Sequence, residues 1–107
     1  MTNFSDREAA FETKYARDEE MQFRVTARRN KLVGLWAAEK MGLTAAEAAP
    51  YATSVVQADF EEAGDDDVVR KIVGDLAAAG VETDTVAINA LLAEKTVEAR
   101  RQLMESQ

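Results

Sequence analysis

From Ser5 to Met41 the chain has no proline and a single glycine, Gly34. At about 1.5 Å per residue, an unbroken helix over that stretch is roughly 55 Å long. The helical patterns that follow are each about 15 to 22 residues between stop signals, near the ordinary helix length. A bundle made from them covers only part of the first segment. That segment therefore either projects past the bundle or breaks and folds back. Its halves differ in chemistry. Met21, Val25, Leu32, Leu35 and Trp36 form a dense apolar stripe, whereas Phe4, Phe11 and Tyr15 are spaced rings among charges. The expectation is an N-terminal arm, residues 1–19, on a four-helix bundle, residues 20–107.

Stop and start signals divide the rest. Ser5 and Glu8 form a capping box that opens the first helix. Gly42, with Leu43 behind it, has the pattern of a left-handed helix stop. Thr44 and Glu47 form a second capping box, opening a helix expected to run to about Ala63 and to end at Gly64. On it Ala48, Ala52, Val56 and Phe60 share a face, beside Tyr51 and Val55. Pro50, the only proline, predicts a bend near its start. Asp65 predicts the next cap, with Asp66 and Asp67 in the first turn. Val68, Val69, Ile72, Val73 and Leu76 follow, before a stop at Gly80. Thr83 or Asp84 caps a last helix whose period runs through Ile88, Leu91, Leu92, Lys95, Ala99 and Leu103. No stretch alternates as a strand does. The fold class is all-α, a four-helix bundle with an N-terminal helical arm.

Composition narrows the chemistry. Net charge is −7, which leaves little to neutralise phosphates and argues against nucleic-acid binding. No apolar run is long enough to predict membrane insertion, and the start lacks a secretory pattern. Cysteine and histidine are both absent. Thiolate chemistry and histidine-based nucleophilic sets are thereby excluded, and with them the commonest base and zinc ligand. The acidic run from Asp59 to Asp67 invites a calcium loop, but Ala63 and Arg70 stand where oxygen ligands are required. It reads better as a helix end, a turn and a cap. The expectation is no catalytic residue, no metal and no required cofactor.

Two sets of residues remain as binding candidates. Phe4, Glu8, Phe11 and Tyr15 fall on one helical face, with Arg7 and Lys14 interleaved. That is the pattern of a helix laid into a partner's groove. Arg28, Arg29 and Lys31, near Asn30 and Trp36, are cations at helical spacing that suit a phosphate. The plainer reading of the second set is a solvated or salt-bridged face against the acidic helices.

Phe4 to Phe11 (FSDREAAF), Arg28 to Gly42 (RRNKLVGLWAAEKMG), Tyr51-Ala52, Asp59 to Gly64 (DFEEAG) and Asp67-Val68 resemble the zeta subunits of alphaproteobacterial F-type rotary ATP synthases. The resemblance covers nearly the whole chain and is loosest over the third and fourth helices. It implies a non-enzymatic inhibitor of ATP hydrolysis, cytoplasmic and held at the inner face of the plasma membrane through the synthase. The implied partners are the alpha, beta and gamma subunits of the catalytic head. There the N-terminal segment would insert as a helix and stop rotation in the hydrolytic direction. The partner-binding residues by position are Phe4, Arg7, Glu8, Phe11, Lys14 and Tyr15. The free chain is expected to be a monomer. Family likeness also raises ATP or ADP as a weak regulatory ligand, which would use Arg28, Arg29, Lys31 and Trp36. The alternative function is thus a small purine-nucleotide-binding regulatory bundle.

Overall fold

The computed structural model describes the backbone of residues 4–60 and 64–106, and side chains over 18–60 and 64–106. Its helices are α1 (Phe4–Lys40), α2 (Ala45–Ala58), α3 (Asp66–Ala78) and α4 (Thr85–Glu105). No strand occurs among the described residues. The first helix is continuous over 37 residues, so the break that the sequence left open does not occur. Helix α4, the longest of the others, has 21 residues. The principal extents are 65 × 25 × 21 Å, long in one direction only.

Side-chain pairs give the topology. Phe23, midway along α1, meets Phe60, and Gly34 meets Ala52 nearer its C-terminal end, so α2 runs back along the second half of α1. Arg28 reaches Gln102, while Trp36 shares a groove with Ile88 and Leu91, so α4 also runs against α1. Tyr51 bonds Asp75, and Gln57 and Ala58 further on line a groove with Asp67 and Lys71, so α3 runs antiparallel to α2. The bundle is therefore up-down-up-down with short loops.

Local chemistry explains the ends. Gly42 and Gly80 have φ of 74° and 80°. After each, the next residue's N–H bonds back into the helix, Leu43 to Ala38 and Val81 to Leu76. This is the Schellman closure, and a side chain at either glycine would strain it. Thr44 and Glu47 form both halves of the capping box. Asp84 accepts from the Ala87 N–H and caps α4.

The core joins Val33 and Ala37 of α1, Val55 of α2, Val68, Ile72 and Leu76 of α3, and Ile88, Leu91 and Leu92 of α4. Each large aliphatic side chain so buried contributes about 1.5–3 kcal/mol of transfer free energy. The buried seam of α1 is narrower in volume than the apolar stripe predicted. Val25, Val33, Ala37 and Ala38 are buried, whereas Leu35 is 37% exposed. Gly34 is the reason: a Cβ there would lie 2.7 Å from the Ala52 Cα. Small residues let the α1 and α2 backbones approach, and the larger leucine is turned outward.

Three further expectations are corrected. Helix α2 ends at Ala58, before Ala63, where the Phe60 N–H turns back to the Gln57 carbonyl. Gly64 lies in the turn beyond. Phe60, placed on the core-facing side by its period, is past the helix end and 61% exposed. Pro50, by contrast, does not break α2, which is continuous through it as the apolar period implies. Asp65 occupies the N-cap position of α3 but makes no side-chain cap bond. Its carboxylate is taken by Arg29, 2.9 Å away.

Candidate functional site

The candidate partner-binding residues Phe4, Arg7, Glu8, Phe11, Lys14 and Tyr15 belong to the first half of α1. Their side chains lie outside the described residues. What the backbone supplies is one helix carrying all six positions. Spacings of three, four and seven residues then share a face by helical geometry.

The basic set of the second half divides. Arg29 is 7% exposed and turned inward, donating from Nε and Nη2 to the Asn30 Oδ1 and from Nη2 to Asp65. Asn30 is 1% exposed, and its Nδ2 has no hydrogen-bond partner. Arg28 donates to the Gln102 Oε1 at 3.1 Å, tying α1 to α4. Lys31 is exposed and, among the described residues, has no carboxylate in ion-pair range. Trp36 lines a separate groove of about 460 Å³ with Lys40, Val81, Glu82 and Leu91. The Lys40 ammonium sits 5.7 Å from its ring centroid, a cation–π contact. Arg28 and Lys31 therefore share one groove, Arg29 is inside the bundle, and Trp36 faces another groove.

Three features escaped the sequence reading. Asn30 is buried because it serves Arg29, a tertiary role with no local pattern. Phe23 is 56% exposed. Its signal was available, since it lies about half a helical turn from Val25 and off the buried seam. Tyr51 donates to the Asp75 Oδ2 at 2.8 Å, and Lys71 donates to the same oxygen. Burial first, then the bond to Asp75 and its charge, push the tyrosine hydroxyl well above its ordinary range.

Among the described residues, no group of three His, Cys, Asp or Glu side chains could hold a metal ion. No described helix is long and apolar enough to cross a membrane. The molecule is of the class of all-α bundles built round one overlong helix. A family model for the ATPase inhibitor subunit zeta matches residues 1–102, essentially the whole chain, and the chain belongs to that family. The family is one of regulatory, non-catalytic inhibitor subunits. A structure solved by solution NMR is similar, with a TM-score of 0.72 and 46% identity over 81% of this chain and 99% of that one. Among curated proteins none matches.

Proposed function

We propose that this chain inhibits ATP hydrolysis by an F-type ATP synthase through the first half of α1. That half inserts as a helix at a catalytic alpha/beta interface near the gamma shaft. It stops rotation in the hydrolytic direction and yields in the synthetic one. Phe4 and Phe11 fill apolar pockets, with Tyr15 and Glu8 on the same face, while Arg7 and Lys14 pair with carboxylates. Family membership supports inhibition. The observation that carries the choice of segment is length: α1 has 37 residues beside helices of 14, 13 and 21. Its surplus has no neighbour of equal length within the bundle.

Removal of residues 1–18 tests this. The shortened chain is expected to keep its helical circular dichroism and cooperative melting and to lose inhibition of the purified catalytic head. A shortened chain that inhibits as well as the full one would overturn the assignment. ATP or ADP as a regulatory ligand has weaker support, because Arg29 is engaged and Trp36 stands apart. Saturable movement of NMR signals at Arg28 and Lys31 on nucleotide titration would sustain it; none at millimolar nucleotide would remove it.

A further inference from the structure

One end of the bundle is unlike the rest of its surface. Phe23 of α1 and Phe60, just past α2, are both more than half exposed, yet their ring centroids are 5.6 Å apart. Single exposed apolar residues are ordinary, but two large rings in mutual contact in water form a patch. Beside Phe23 runs a groove of about 520 Å³ floored by Val56 and Leu103. Among the described residues, the charged ones on its walls are Arg24, Arg28 and Lys31, all basic, in a chain of net charge −7. Arg24 holds Glu20 and Arg28 holds Gln102. Each guanidinium keeps further donors, and the Lys31 ammonium is exposed. Aromatic side chains and arginine around an apolar floor match the composition of interface centres.

The position of this patch matters as much as its content. It lies at the end where α1 continues past its neighbours: Phe60 closes α2 and Leu103 nears the end of α4, while α1 runs on from Phe23 back to Phe4. A helix inserted into a partner up to this level brings that end of the bundle against the partner's surface.

We infer that the Phe23–Phe60 pair and its basic groove are a second docking surface, at the root of the projecting helix. Its occupant is a surface of the inhibited catalytic head that carries carboxylates around an exposed aliphatic or aromatic side chain. Charge complementarity and continuity with the inserted helix select that occupant. The inference rests on the proposed insertion of α1 and adds the part of the bundle that meets the head.

The test uses full-length variants against the purified head, reading inhibition and dissociation rate. Phe23→Ala/Phe60→Ala is expected to weaken half-maximal inhibition at least about tenfold, mainly by faster dissociation. Arg24→Glu/Lys31→Glu is expected to slow association and reduce its salt dependence. All four side chains are exposed, and unchanged melting curves would confirm intact bundles. Parent-like inhibition and dissociation by the aromatic pair variant would overturn the inference. So would sedimentation showing that the pair instead supports self-association of the chain. Phe4→Ala/Phe11→Ala separates the two readings. If that variant inhibits normally while Phe23→Ala/Phe60→Ala fails, insertion by the arm is wrong and the root surface is right. The reverse pattern leaves insertion standing and removes the root surface.

Discussion

Two glycines in helices make opposite demands. At Gly34 an added Cβ meets backbone, with the Ala52 Cα at 2.7 Å; at Gly74 it meets nothing within 4 Å. Gly74→Ala is therefore expected to stabilise the fold by about 0.5–1 kcal/mol, the ordinary helix gain. Gly34→Ala gains the same propensity but forces α1 and α2 apart, at about 1–3 kcal/mol. The net is a loss, visible as a lower urea midpoint than the parent's. Asp65 supplies a third residue-scale prediction. Its removal leaves the inward guanidinium of Arg29 with Asn30 as its only described acceptor. Asp65→Ala should cost about 1–3 kcal/mol in the same assay, discounted toward the lower figure because the carboxylate is half exposed. A substitution at an idle N-cap would cost less, so the size of the effect distinguishes tertiary pairing from capping.

At the scale of elements, most starts and stops were legible because they are local; the Ser5 box is an exception, since α1 already includes Phe4 and Ser5 and does not open behind Ser5. Capping boxes and left-handed glycines act within a few residues, and Thr44, Asp84, Gly42 and Gly80 do what their patterns say. The region from Asp59 to Asp65 was not legible, because Asp65 answers to Arg29, 36 positions away in sequence. Leu35 was misplaced because periodicity ranks side chains by hydrophobicity, whereas the α1–α2 contact selects for smallness. Phe60 was misplaced because the helical period was extended past Ala58, where α2 ends. The ties between elements also carry pH dependence. Tyr51 holds its proton in the fold to higher pH than in the unfolded chain, where it ionises near about 10. Its contribution is complete below that value and falls as pH rises above it. Tyr51→Phe should lower stability by about 1 kcal/mol at neutral pH and lose less than the parent between pH 9 and 11, as urea titrations would show. On the acid side, the bonds from Thr44 lower the Glu47 pKa. That contribution is present above the ordinary glutamate value and disappears as pH falls through the lowered one. Glu47→Gln should flatten this acid loss.

At the scale of the whole molecule, the sequence showed the architecture and the mismatch in helix lengths but only one of the two surfaces proposed to bind. The arm was visible because its rings recur at helical spacing within one segment. The Phe23–Phe60 contact was not, because it joins α1 to a residue past the end of α2, and the two follow no shared period. The absence of histidine has a measurable counterpart: the melting temperature should be flat between pH 6 and 8, since no side chain with an ordinary pKa in that range is present. A marked change there would require the N-terminal amine or a strongly displaced side chain.

The uninterrupted course of α1 from Phe4 to Lys40 has a mechanical meaning. A helix without a joint transmits axial thrust and twist, so a force on its tip is delivered to the packed seam around Gly34 instead of being absorbed midway. The proposed stop on rotation would need that stiffness to hold against a turning shaft. Glu19→Pro would introduce a joint, at about 3 kcal/mol of helix stability, well away from the seam. Such a variant should still associate with the catalytic head while letting hydrolysis leak through, separating grip from braking.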